Sequence, residues 1–85
     1  MRLSRTQLSK ALACMEADDW QAAHEIVQRD EDSPLACWAH GIVHIMEGDL
    51  PNARYWYGQA KRPFPEKPTA SAEVAALRKA LSEEG

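Results

Sequence analysis

An all-α fold of two antiparallel helical hairpins followed by a fifth, capping helix is predicted by three features of this 85-residue sequence. Apolar residues recur at three- and four-residue spacing through most of the chain. Caps and turn residues divide that pattern into five segments, and no segment alternates apolar and polar residues as a strand does. Hydrophobic residues make up 45% of the chain, enough for one buried core, so we expect a single domain over residues 1–85.

The first hairpin is predicted over residues 5–29. Ser4 begins a capping box, and the helix that follows is expected at 5–17. Asp19 can cap a second helix at 20–29. Because only a short polar break separates the two helices, we expect them to fold back on each other.

The second hairpin is predicted over residues 34–61. Ser33 is expected to cap a helix at 34–47, since a proline occupies its first position. Gly48 supplies the left-handed residue that ends this helix. A fourth helix is then expected at 50–61.

Two connectors and a last helix complete the chain. The acidic residues 30–32 precede the third helix, where negative charge is favourable, and we interpret them as a helix-capping loop. Residues 62–69 hold three prolines and predict an extended connector. An alanine-rich stretch at 70–83 predicts a C-terminal helix that covers the exposed end of the second hairpin.

The two hairpins are similar to each other in sequence. Helices two and four begin in the same way, and their alanines Ala23 and Ala53 lie 30 residues apart, which favours stacked helical hairpins. Residues 35–65 resemble a tetratricopeptide repeat or its Sel1-like relative. The matching positions are Gly41, Gly48, Asp49, Ala53, Tyr57, Ala60 and Pro65. The resemblance implies a helical-repeat module that binds proteins.

The string HIMEGDLPNARYWYGQA also resembles that of a group of short bacterial proteins, and this resemblance implies no activity. Two repeat units are fewer than the three that a solenoid usually needs. We therefore expect a closed bundle with the last helix as its cap.

Net charge and hydropathy argue against several functional classes. A net charge of -3 and a pI near 5.5 disfavour binding to nucleic acids and anionic membranes. No apolar run approaches the roughly 18 residues of a membrane span, and no signal-peptide stretch is visible, so we expect a cytoplasmic protein. In that reducing compartment Cys14 and Cys37 are expected to be free thiols.

A candidate metal site lies along one edge of the third helix. Helical spacing places four potential ligands there: Cys37, His40, His44 and Glu47. Two histidines four residues apart and a carboxylate one turn further are suited to a divalent metal, and no other cofactor is expected. The alternative is that these side chains pack and hydrogen-bond in the interior. His24 and Cys14 on the first hairpin are further potential ligands, and the sequence does not decide whether they approach.

The expected function is protein–protein interaction or self-association, with a homodimer as one form. No phosphate-binding loop, serine elbow or pair of catalytic carboxylates occurs in the sequence, which disfavours an enzyme without deciding the question. The candidate partner-binding residues are Trp38, Ile42, Ile45 and Tyr55. The alternative is a metal- or small-ligand-binding protein, with or without catalysis, that uses His40, His44 and Glu47.

Overall fold

The computed structural model describes residues 2–83, which form five helices and no strand. The helices are α1 (Arg5–Glu16), α2 (Trp20–Val27), α3 (Pro34–Glu47), α4 (Leu50–Gln59) and α5 (Ala70–Glu83). The all-α prediction is confirmed. The predicted bounds of α3 and α5 agree with the structure, whereas α1, α2 and α4 end one or two residues earlier than predicted.

Side chains and turns set the helix ends largely as the sequence predicts. Ser4 forms the predicted capping box at the start of α1. Asp19 and Asp49 each accept a hydrogen bond from the amide three residues later. Gly48 ends α3 with a φ of 88°, in the left-handed region that favours glycine. The prediction for Ser33 is wrong in one respect, because its side chain makes no capping hydrogen bond to α3.

The helices pack as two pairs joined along α3. α1 contacts α2, α3 contacts α4, and α2 contacts α3. α5 lies against both α1 and α3, so it covers the two hairpins together rather than the end of the second one alone. Nine consecutive residues of α3, Ala36–His44, are buried, which makes this helix the centre of the core.

A close approach between α3 and α4 requires a glycine at position 41. A Cβ atom on Gly41 would lie 2.5 Å from Cδ1 and 2.7 Å from Cε1 of Tyr57. Tyr57 is itself 1% exposed, and its hydroxyl donates a hydrogen bond to Glu73 of α5. The missing side chain at Gly41 therefore lets the aromatic ring of Tyr57 fill the interior.

Asp30 organises the loop between the hairpins. Its carboxylate is fully buried and accepts hydrogen bonds from the amides of Leu3, Asp32 and Ser33 and from the Ser33 hydroxyl. Burial alone would raise the pKa of Asp30, but these hydrogen bonds outweigh it and lower the pKa to about 2. Asp30 therefore bonds to the N-cap residue of α3 and also ties the N-terminal segment to the loop, a role that the sequence interpretation of residues 30–32 did not include.

Candidate functional site: a histidine cluster

All three histidines of the chain meet at the joint between the two hairpins. His24 lies on α2, and His40 and His44 lie one turn apart on α3. One potential ligand atom from each imidazole lies within 4.8 Å of those of the other two. We call His24, His40 and His44 the histidine cluster.

The rings of the histidine cluster surround one point from two helices. The centroid of the His24 ring lies 4.9 Å from that of His40 and 5.4 Å from that of His44, and it meets both edge-on. The rings of His40 and His44 are stacked with centroids 5.0 Å apart. His40 and His44 are buried, at 4% and 7% exposure, while His24 is half-buried. The cluster is therefore largely buried, and His24 is its most exposed member.

His40 carries a buried nitrogen with no hydrogen-bond partner among residues 2–83. This atom is Nδ1, and an unpaired polar atom in the interior is unfavourable by roughly 1–3 kcal/mol. Burial, followed by the charges of His24 and His44, lowers the pKa of His40 to about 3. His40 is consequently neutral at physiological pH, which is the form of imidazole that binds metal ions.

Glu47 orients His44 rather than facing the other two histidines. Oε1 of Glu47 lies 2.8 Å from Nδ1 of His44, one turn away on the same helix. This contact leaves Nε2 of His44 as the nitrogen available to a ligand. A carboxylate on the second nitrogen of a metal-binding histidine fixes its tautomer and ring orientation.

Trp56 of α4 packs against the ring of His40. The two rings are stacked with centroids 4.0 Å apart and an interplanar angle of 10°. Trp56 is 8% exposed and belongs to the hydrophobic core. The ring plane of His40 is therefore held by the packing of α4 on α3.

The geometry of the histidine cluster suits a divalent transition-metal ion. A tetrahedral ion with metal–nitrogen bonds of about 2.0–2.1 Å holds its ligand nitrogens about 3.3–3.4 Å apart. The ligand atoms here lie within 4.8 Å of one another, so the three rings would have to draw closer together to bind an ion. His44, Glu47 and Asp49 form a second group of potential ligands, which shares His44 with the cluster.

The structure combines the sequence-predicted ligands differently from the prediction. His40 and His44 do face one site, but the third member of the group is His24 and not Glu47. Cys37 lies outside both groups of potential ligands, and its thiol donates a hydrogen bond to the carbonyl of Glu31. Burial, together with nearby carboxylates, raises the pKa of Cys37, which disfavours the thiolate that a metal would need. Cys14 is free and half-buried, and it too lies outside these groups.

The predicted partner-binding residues are divided between core and surface. Trp38 and Ile42 are 2% and 0% exposed, so neither is available to a partner in this conformation. Trp38 donates a hydrogen bond from Nε1 to Glu73 of α5. Ile45 is partly buried against the core, and Tyr55 is 56% exposed. Of the four candidates, Tyr55 offers the largest accessible surface.

Comparison of the chain with protein-family models, with curated proteins and with solved structures finds no match. The resemblance to a tetratricopeptide or Sel1-like repeat therefore stays a prediction. Within residues 2–83, none of the helices has the length and apolar character to cross a membrane.

Proposed function

We propose that this protein binds a divalent transition-metal ion, most readily zinc, through His24, His40 and His44. The observation that carries the proposal is the convergence of three imidazoles from two helices on one point, with their potential ligand atoms within 4.8 Å. Imidazole nitrogen is a preferred ligand of zinc, and three histidines are a known ligand set for it.

Two features of the surroundings support metal binding over simple packing. A cluster that only packs would leave Nδ1 of His40 without a hydrogen-bond partner, which is unfavourable. A nearby metal ion would change the electrostatic potential at this nitrogen. The pairing of Glu47 with His44 supplies the oriented carboxylate that commonly supports a metal ligand. Because the three imidazoles are neutral ligands, the ion would keep its double charge and a coordination position for water.

Zinc titration by calorimetry on protein purified without a polyhistidine tag tests this function. We expect one zinc ion per chain and a large loss of affinity in His24→Ala. Glu47→Gln should weaken zinc binding by about 10–100-fold, because Glu47 is not a ligand but orients the ligand His44. Cobalt substitution should give the visible absorption of a four-coordinate ion.

Cys37→Ser is the matched control, since Cys37 is a potential ligand on the same helix that lies outside the cluster. We expect its zinc affinity to equal that of the unmodified protein. Absence of zinc binding, or an equal loss in Cys37→Ser and His24→Ala, would contradict the proposal.

Partner binding or self-association through α4 is a second candidate function. Leu50 and Tyr55, both on α4, are 40% and 56% exposed and are the large hydrophobic side chains that residues 2–83 leave exposed. Both side chains are accessible to a protein partner or to a second copy of the chain, in the cytoplasm expected from the sequence. Sedimentation of the unmodified protein and of Tyr55→Ser would test self-association, and a monomer at every concentration would contradict it.

A further inference from the structure

Basic residues are concentrated in one segment of an otherwise acidic chain. Residues 54–67 hold four of the ten basic residues and one of the thirteen acidic residues, although the whole chain has a net charge of -3. Three of these basic residues, Arg54, Lys61 and Arg62, lie on α4 and the turn that follows it, and all three are exposed. We call Arg54, Lys61 and Arg62 the basic face.

Aromatic rings order the two arginines of the basic face. Cζ of Arg54 lies 4.9 Å from the centroid of the Phe64 ring, and Cζ of Arg62 lies 3.4 Å from that of Trp38. A guanidinium that stacks on a ring keeps the N–H donors of its own plane available to a carboxylate. Because the side chains are ordered before a ligand arrives, binding costs less conformational entropy.

The two supporting rings belong to one connected set of side chains. Phe64 meets Tyr57 edge-on, with ring centroids 5.1 Å apart. Tyr57 and Trp38 donate hydrogen bonds to the same oxygen, Oε1 of Glu73. The rings beneath the two arginines are therefore parts of one contiguous surface.

The charges of the basic face are not neutralised by ion pairs in the described part of the chain. The ion pairs among residues 2–83 are those of His44 with Glu47 and of Arg78 with Glu16, so none includes the basic face. The carboxylate of Glu73 accepts its hydrogen bonds from aromatic side chains instead. Three positive charges thus remain available to a ligand.

Lys61 occupies a backbone position that favours glycine. Its φ is 59°, in the left-handed region, and the amide of Arg62 donates a hydrogen bond to the carbonyl of Tyr57 across this turn. A lysine is less favourable than a glycine in this conformation. Lys61 therefore adds a positive charge beside Arg62 at a position where glycine would give the more stable turn.

We propose that the basic face binds an acidic segment of a partner protein, whose carboxylates pair with Arg54 and Arg62. This inference rests on the partner-binding function proposed above for α4 and names the class of its partner, and it does not depend on the metal site. A nucleic acid fits less well, because a long polyanion would also meet the acidic remainder of the chain.

Fluorescence anisotropy with a labelled hexaglutamate peptide tests the proposal. We expect saturable binding that weakens as the salt concentration rises from about 0.01 M to about 0.15 M, since the Debye length falls from about 30 Å to about 8 Å. Hexalysine should not bind, and a single-stranded oligothymidylate of equal charge should bind more weakly. Absence of hexaglutamate binding, or tighter binding of either other probe, would overturn the proposal.

The double variant Arg54→Gln/Arg62→Gln should weaken hexaglutamate binding by about tenfold, because it removes two charged hydrogen-bond donors. Arg2→Gln/Arg29→Gln is the matched control, since it makes the same change in net charge at exposed residues outside the basic face. Its affinity should change by less than about twofold at 0.15 M salt, where distant charges are screened. Equal losses in the two double variants would overturn the proposal.

Lys61→Gly separates binding from folding. We expect a melting temperature at least as high as that of the unmodified protein, together with a hexaglutamate affinity that is about threefold lower. An unchanged affinity would overturn the proposed role of the basic face. Self-association measured by sedimentation without any hexaglutamate binding would leave the α4 interface standing and overturn its acidic partner.

Discussion

Replacement of Asp30 by asparagine should destabilise the fold in a pH-dependent way. Asparagine has the same shape, but it keeps one acceptor oxygen where the carboxylate has two. Oδ1 of Asp30 accepts hydrogen bonds from the amides of Asp32 and Ser33, and Oδ2 accepts one from the amide of Leu3 and one from the Ser33 hydroxyl. The amide group of asparagine would face one of these donor pairs and leave it unsatisfied.

The pKa of Asp30 gives the magnitude. The folded protein lowers this pKa from 3.8 to about 2, and each pKa unit corresponds to 1.36 kcal/mol, so ionised Asp30 contributes about 2 kcal/mol at neutral pH. Because the folded pKa lies below the unfolded one, this stability is present above pH 4 and is lost as the pH falls toward 2. About half of it should be gone at pH 3.

Urea unfolding followed by tryptophan fluorescence at pH 7, 4 and 3 measures the effect. We expect Asp30→Asn to lower the free energy of unfolding by about 2–3 kcal/mol at pH 7, and to lower the melting temperature by about 8–24 °C. The difference between variant and unmodified protein should shrink to about half at pH 3.

Asp32→Asn is the control, because Asp32 is exposed and only its backbone amide bonds to Asp30. It should change stability by less than about 0.5 kcal/mol. A difference for Asp30→Asn that is unchanged between pH 7 and pH 3, or a loss no larger than that of Asp32→Asn, would refute the assigned role of this carboxylate.

Three further predictions concern packing and surface charge. Gly41→Ala should lower the free energy of unfolding by about 1–3 kcal/mol, since the Cβ of the alanine would overlap the Tyr57 ring. A melting temperature equal to that of the unmodified protein would argue against this packing. Gly58→Ala is the counterpart, because a Cβ at position 58 meets no atom within 4 Å. Thermal melts should show a free energy of unfolding that is higher by up to about 0.5–1 kcal/mol, and a lower one would contradict the open surroundings. Arg78→Gln removes the ion pair with Glu16, whose side chains are 39% and 46% exposed. Urea unfolding should show a loss below about 1 kcal/mol, and a larger one would mean that this surface pair matters more than its exposure implies.

Local sequence patterns predicted the secondary structure closely because the signals act within one or two helical turns. The capping box at Ser4 and the left-handed Gly48 are made by neighbouring residues, so their effect is visible without knowledge of the fold. The helix ends at 17, 29 and 61 were placed one or two residues too late, because no capping residue in the sequence marks where each helix gives way to a turn.

Long-range contacts account for what the sequence reasoning missed. In the sequence Asp30 is one member of an acidic run, and its hydrogen-bond partner Leu3 lies 27 residues away along the chain. The sequence left open whether a partner or another helix of the chain covers Trp38 and Ile42, and the structure buries both within the chain. The direction of α5, which crosses α1 and α3 together, could not be predicted from the helix pattern.

The sequence by itself determined the five helices, their order and the apolar faces that they bury, because helix periodicity and capping depend on residues that are close along the chain. It also placed His40 and His44 on one side of α3. Only the tertiary structure decided that His24 is the third member of the histidine cluster and that Glu47 supports His44. The physical reason is that a three-ligand site joins helices whose relative position depends on how the whole core packs, and not on any local spacing.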